Sequence, residues 1–77
     1  MSLTPEQRNQ VGKEIGDNLK LAGLTPEVVQ ADLAFNHAQY EETVKFGPTA
    51  NEEEVARLRN YLAEKVKEQG KEPYSYT

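Results

Sequence analysis

Residues 24–44, LTPEVVQADLAFNHAQYEETV, decide the fold of this chain because they are laid out as two short helices around a tight turn. A helix-turn-helix pair needs a small residue at the turn, a buried apolar residue directly after it, and an apolar anchor six positions beyond the small residue. Ala34, Phe35 and Tyr40 satisfy this spacing, and Val44 would close the second helix onto the core. The segment therefore predicts a helix-turn-helix, although the same spacing also describes an ordinary pair of crossing helices.

The same four letters, Leu-Thr-Pro-Glu, begin at Leu3 and at Leu24, and each copy has the parts of a helix start. Thr accepts a bond from a free backbone amide, Pro needs no N–H partner in the first turn, and Glu meets the positive end of the helix dipole. Gly23, Gly47 and Gly70 are placed to end helices, with Gly47 suited to the C′ position. We therefore predict an all-α compact domain of four helices, over residues 5–21, 26–34, 37–46 and 51–69, with a short extended C-terminal tail over 71–77.

The predicted core consists of apolar residues that recur at helical spacing. They are Val11, Ile15, Leu19 and Ala22, then Val28, Val29, Leu33 and Phe35, then Tyr40 and Val44 with Thr43 as a further candidate, and finally Val55, Leu58, Leu62 and Val66. Gly12 and Gly16 lie inside the first helix, where each costs about 1 kcal/mol relative to Ala. They indicate either a close crossing by another helix or a marginal first helix.

The length of 77 residues predicts one domain. A core of this size contributes only about 3–5 kcal/mol of stability unless a disulfide, a metal or a partner subunit adds to it. The chain has no Cys, so a homodimer or another protein partner is the expected source of additional stability. The start of the chain has no basic segment followed by an apolar one, and no stretch is apolar enough to span a bilayer, so we expect a cytoplasmic protein.

The charge balance bears on the kind of partner. Thirteen acidic and nine basic residues give a net charge of −4, and no segment is basic: residues 1–24 are neutral, whereas residues 25–50 and 51–77 are acidic. Because Lys and Arg supply most of the affinity for a polyanion, this balance disfavours DNA as a partner without excluding it.

The outward face of the helix over 37–46 is the candidate surface for a partner or for DNA. Its residues are Asn36, His37, Ala38, Glu41, Glu42 and Lys45. Asn could read adenine and Glu could accept a bond from a cytosine amino group, but each carboxylate would approach phosphates without a compensating cation. Only Lys45 is close in sequence, and Lys20 or Arg57 could add positive charge in three dimensions.

Five short motifs carry a resemblance to a known family: Leu3–Gln7, Gly23–Glu27, Ala31–Phe35, Leu58–Leu62 and Gly70–Tyr74. With them the chain resembles the repressor-type helix-turn-helix domains of phage and bacterial regulators. More specifically, it resembles a small uncharacterised bacterial family, domain of unknown function 2316. The resemblance implies a lambda-repressor-like fold and no activity. Ala34 departs from the usual pattern, in which Gly is commoner.

No arrangement of residues identifies a reaction, a cofactor or a small-molecule substrate. His37 is the only His and has no Cys companion for zinc, and Glu52, Glu53 and Glu54 match the dipole of a first helical turn better than a cation site. We therefore predict a non-enzymatic domain without cofactor or metal.

The tail carries Tyr74 and Tyr76 two residues apart. Such a tail is either frayed, or an arm whose two rings fold on the domain or reach a second subunit. The expected function is protein–protein contact or self-association. The alternatives are a small DNA-binding transcriptional regulator that uses the helix over 37–46, and a component of a larger assembly.

Overall fold

The computed structural model describes residues 3–76 and shows four helices in that part of the chain. They are α1, Pro5–Ala22; α2, Pro26–Leu33; α3, His37–Lys45; and α4, Glu52–Glu68. The predicted all-α, four-helix architecture is confirmed, and every helix end lies within one residue of its predicted position. Within residues 3–76 no segment forms a strand, and residues 71–76 belong to no helix.

Side-chain caps explain where the helices begin. The Thr4 hydroxyl accepts a bond from the Gln7 amide at 3.2 Å, and the Gln7 side chain accepts one from the Thr4 amide at 2.9 Å. Thr25 caps α2 through its hydroxyl alone, which accepts the Val28 amide, and Asn51 accepts bonds from two amides of the first turn of α4. Each cap gives a partner to amides that have none within the helix, which fixes the starts of α1, α2 and α4.

The core lies where α1 packs against α4 and α3. The buried apolar residues are Val11, Ile15, Ala22, Val29, Leu33, Phe35, Tyr40, Phe46, Val55, Leu58, Leu62 and Val66. Val28, which the sequence pattern placed inward, is 44% exposed. The buried face of α2 is set by Val29 and Leu33 at a spacing of four, and the residue before Val29 lies about 100° away from that face.

Phe46 is a core residue that the helical pattern did not identify. Its side chain is only 5% exposed, and the Arg8 guanidinium lies 4.6 Å from the centre of its ring. Arg8 also donates hydrogen bonds to the backbone carbonyls of Phe46 and Gly47. The first turn of α1 therefore holds the end of α3 in place.

The left-handed conformation that ends α3 lies on Phe46, with φ 50°, and not on Gly47 as expected. The Gly47 amide instead donates to the Glu42 carbonyl at 3.0 Å. A Cβ at Gly47 would overlap the Glu42 carboxylate. Gly47 therefore gives space to a neighbouring side chain, while Phe46 adopts the strained backbone conformation.

The two glycines inside α1 have different surroundings. A Cβ on Gly12 would lie 2.9 Å from the Lys45 backbone oxygen, whereas a Cβ on Gly16 would meet nothing within 4 Å. Gly12 therefore allows α1 to approach the end of α3 closely, and the close-crossing interpretation does not apply to Gly16. No helix within residues 3–76 is long and apolar enough to cross a membrane.

Candidate interaction surfaces

The six residues predicted to face a partner or DNA all lie at the start of α3 or on it, but only four of them form its outer face. His37, Ala38, Glu41 and Lys45 are exposed along the helix. Glu41 lies between His37 and Lys45, 3.6 Å from the His37 imidazole and 3.7 Å from the Lys45 ammonium. The single Lys side chain of this face is thus paired with a carboxylate of its own helix.

Asn36 is the N-cap of α3 and is occupied by that role. Its side-chain oxygen accepts a bond from the backbone amide of Gln39 at 2.8 Å. Its own backbone amide donates to the side-chain oxygen of Gln39 at 3.2 Å. The Gln39 side chain also donates to Glu54 at the start of α4. Reading an adenine would require the Asn36 side chain to abandon this cap.

Glu42 turns toward the loop after α3. Its carboxylate accepts bonds from the Thr49 amide at 3.0 Å and from the Thr49 hydroxyl at 2.7 Å. These bonds stabilise the charged form and hold the pKa of Glu42 below its usual value. The side chain closes the loop between α3 and α4 and is not part of the outer face.

Arg57, a candidate source of positive charge near α3, contacts its own chain. Its guanidinium donates to the Leu33 carbonyl at 3.3 Å and lies 5.6 Å from the centre of the Phe35 ring. It therefore supports the turn between α2 and α3.

The C-terminal tail is the second candidate surface, and it is docked against α1. Asn18 is only 4% exposed, and its side chain forms two bonds with the backbone of Tyr74. The side-chain oxygen of Asn18 accepts the Tyr74 amide at 2.7 Å, and the side-chain nitrogen donates to the Tyr74 carbonyl at 3.2 Å. The side-chain amide thus pairs with the tail as a neighbouring strand would. The tail is not frayed at this point.

Glu14 holds the tail one turn earlier on α1. Its carboxylate is 4% exposed, accepts the Tyr76 amide at 3.0 Å, and accepts a bond from the Arg59 guanidinium of α4 at 2.8 Å. A buried carboxylate is costly unless a cation and further donors compensate it, and both are present here. We call Glu14, Asp17, Asn18 and Arg59 the tail-docking site.

The two tail rings are stacked on each other at the surface. Their centroids are 5.8 Å apart with an interplanar angle of 26°, and Tyr74 and Tyr76 remain 46% and 37% exposed. The Tyr76 hydroxyl donates to Asp17 at 2.6 Å, and the Lys13 ammonium lies 5.7 Å from its ring. The bond to Asp17, followed by burial, raises the pKa of Tyr76 to about 12.

An open groove of about 370 Å³ runs between the tail and α4. Its α4 wall consists of Ala56, Arg59, Asn60 and Ala63. The tail thus leans on α1 and leaves space along α4.

The sequence identified the two tail tyrosines but not the residues that receive them. Glu14 and Asn18 are four apart, and the same spacing continues to the core residue Ala22. A polar pair in line with a buried position was the available signal, since such a pair must find partners for its polar atoms.

Two features of residues 3–76 bear on possible chemistry: the placement of their His and acidic side chains, and the pKa of their tyrosines. No three His, Asp or Glu side chains of these residues come together as metal ligands. Burial and the neighbouring Asp32 raise the pKa of Tyr61 to about 12, in the same direction as that of Tyr76. A tyrosine that serves as a catalytic base needs the opposite shift.

A family model described as an uncharacterized protein conserved in bacteria (DUF2316) matches residues 1–77, the full length of the chain. Searches of curated proteins and of solved structures found no match.

Proposed function

The chain belongs to the DUF2316 family, and from this premise we propose that it is a non-enzymatic protein-contact domain that associates with a second copy of itself. In this proposal α2 and α3 form a helix-turn-helix-like scaffold. The three-residue connection between them and the burial of Phe35 and Tyr40 support that arrangement.

The observation that carries the proposal is the pair of exposed tyrosine rings on a tail held by hydrogen bonds. Ordered aromatic side chains offer a large contact area with few rotors to immobilise, so less entropy is lost on binding. Tyr74 and Tyr76 are fixed by Asn18, Glu14 and Asp17 before any partner arrives. A preorganised aromatic surface of this kind favours protein contact.

Charge favours the α1 side of the molecule for self-association. In residues 1–24, Arg8, Lys13 and Lys20 balance Glu6, Glu14 and Asp17, whereas the rest of the chain carries the net negative charge. Two copies that meet through α1 and the tail therefore bring together their least charged parts, and like-charge repulsion is smallest there.

The non-enzymatic part of the proposal is supported by how the polar side chains are used. Glu42 closes a loop, Asn36 caps a helix, and Glu14 is paired with Arg59 while it holds the tail. Each of these contacts stabilises the fold.

Duplex DNA binding through α3 is the alternative function, and we rank it second. The exposed start of α3 and Lys45 favour it, but Glu41 pairs with that Lys and the guanidinium of Arg57 is turned onto the α2–α3 turn. Phosphate contacts would thus have to be gained by breaking contacts within the chain.

Sedimentation equilibrium over a range of concentrations tests the proposal. The expected result is a mass above the 8.7 kDa of one chain, rising with concentration. Tyr74→Ala and Tyr76→Ala should weaken this association while the helical circular dichroism is unchanged, because both rings lie outside the helices. A monomer at every concentration would exclude self-association.

Val28→Ala is the matched control, since Val28 is also an exposed apolar side chain but lies on α2, away from the tail. It should leave the association constant unchanged. A parallel titration with duplex DNA decides the alternative: binding that weakens steeply with salt and is lost in Lys45→Ala would favour the regulator.

A further inference from the structure

We infer that the tail-docking site binds the tail of a second copy, so that two chains associate by exchanging residues 73–76. The inference rests on the proposed self-association and names the contact that produces it. The ligand is an extended peptide segment with tyrosines at alternating positions.

The first argument is that the site recognises the tail mainly through its backbone. Asn18 pairs with both backbone polar groups of Tyr74, and Glu14 accepts the amide of Tyr76, two residues further. This is the pattern by which an extended peptide adds to a sheet edge, here supplied by side chains of a helix. The same bonds form whichever copy of the chain provides the segment.

The second argument is the length of the connection. The Lys71 amide donates to the Val66 carbonyl at 3.2 Å, and its ammonium donates to the Leu21 carbonyl at 3.2 Å, so the start of the tail is anchored. From Lys71 to Tyr74 the chain crosses three residue steps, about 10 Å when extended. Exchange therefore requires the second copy to lie directly against α1.

The third argument is that this neighbouring surface suits a second copy. A groove lined by Asp17, Lys20 and Leu21 lies beside the two tail rings, in the part of the chain without net charge. Each copy would give its tail and receive the other, and a two-fold symmetric pair of such contacts closes without leaving a site open.

The test uses two full-length variants with complementary defects. Asn18→Ala removes the paired side chain but keeps the tail, whereas Tyr74→Pro removes the amide that the tail donates but keeps the site. Each variant alone should be monomeric. An equimolar mixture should form mixed dimers in sedimentation, because one intact tail meets one intact site. A mixture that stays monomeric overturns the exchange.

A peptide of residues 70–77 gives an independent measurement. It should bind the Tyr74→Pro chain saturably, seen as shifts of α1 amide resonances in NMR. Adding Asn18→Ala to that chain should lower the affinity about ten-fold or more, since two hydrogen bonds to a buried group are lost. Asn60→Ala, on the α4 wall of the groove, is the matched control and should leave the affinity unchanged. Lack of binding, or binding indifferent to Asn18→Ala, overturns the inference.

These results separate the inference from the proposed function. If the wild-type chain associates and both single variants associate equally well, self-association stands and tail exchange falls. If the peptide binds the site but the wild-type chain is monomeric, the site recognises the tail only within one chain, and both self-association and tail exchange are wrong.

Discussion

Among single residues, Ala34 has an unfavourable backbone conformation that no contact of its side chain compensates. Its φ is 58°, its side chain is exposed, and its amide closes α2 by donating to the Gln30 carbonyl. A residue with a Cβ pays about 1–2 kcal/mol to adopt the left-handed conformation, which glycine adopts freely.

Ala34→Gly should therefore stabilise the domain. Relief of backbone strain exceeds the extra entropy that glycine gives the unfolded chain, and we expect a net gain of about 0.5–1 kcal/mol in the free energy of unfolding. Thermal or urea unfolding measures it. Ala31→Gly is the control: that residue is exposed inside α2 with ordinary helical geometry, and the substitution should destabilise. A loss of stability in Ala34→Gly would contradict the strain.

Tyr61 and Tyr76 should lose their protons only at high pH. The pKa of Tyr61 is raised to about 12 by burial and by its hydrogen bond to Asp32, and that of Tyr76 to about 12 by its bond to Asp17. The folded chain then keeps protons that the unfolded chain releases near pH 10. Stability from these groups is complete below pH 10 and falls as the pH rises toward 12.

Asp32→Asn should lower the pKa of Tyr61 only part of the way, since burial, the largest cause, remains. Ring NMR signals of each tyrosine follow the titration separately. Asp17→Asn is the matched variant and should move Tyr76 alone. A Tyr61 that titrates at its ordinary value in the wild-type chain would exclude the bond to Asp32 in solution.

Residue-scale details were the least predictable from sequence. The local pattern predicted Thr4 and Thr25 as caps because capping depends on atoms within a few residues. The burial of Phe46 and Asn18 depends on Arg8 and Tyr74, each more than 35 positions away. Partners so distant leave no local signature.

At the scale of helices, Gly12 and Gly16 look equivalent in sequence and differ in the fold. Gly16→Ala should add up to about 1 kcal/mol of stability, because helix propensity improves and a methyl group meets open space. Gly12→Ala should instead destabilise by about 1–2 kcal/mol, since its methyl group would press on the Lys45 carbonyl and force α1 and α3 apart.

The two melting curves provide the measurement, and each variant is the control for the other. In a domain of this size 1 kcal/mol corresponds to a shift of about 4–8 °C. Equal shifts in the same direction would mean that α1 does not approach the end of α3 as closely as the structure shows.

The helices themselves were predictable. Periodic apolar positions and strong start and stop signals located all four to within a residue. The inward face of α2 was less certain because eight residues give little more than two turns, and Val28 and Val29 both fit an apolar stripe. The packing of α2 against the rest of the core decides between them.

At the scale of the whole molecule, net charge gives a prediction that separates the two proposed functions. Each copy carries −4, so two copies repel at long range and salt screens that repulsion. Raising the salt from about 50 to 500 mM shortens the screening length from roughly 14 to 4 Å, and self-association should strengthen. DNA binding would weaken over the same range.

Sedimentation at the two salt concentrations measures this effect, with Tyr74→Ala as the control that should show little association at either. Association that weakens strongly with salt would indicate an interface held by opposite charges, contrary to the neutral α1 side of the proposal.

The sequence identified the charge distribution and the tail rings, but it could not show that the tail lies on α1, because that placement depends on the folded positions of Glu14 and Asn18.

The pairing of Asn18 with the main chain of the tail also has an evolutionary consequence. The bonds from Asn18 and Glu14 go to peptide groups, so they do not depend on which side chains residues 74 and 76 carry, provided that both residues keep an N–H. Residue 73 is already a proline, and no bond from α1 to a backbone N–H is needed at that position. Selection should thus act against proline at residues 74 and 76, because either proline would remove an N–H that α1 binds.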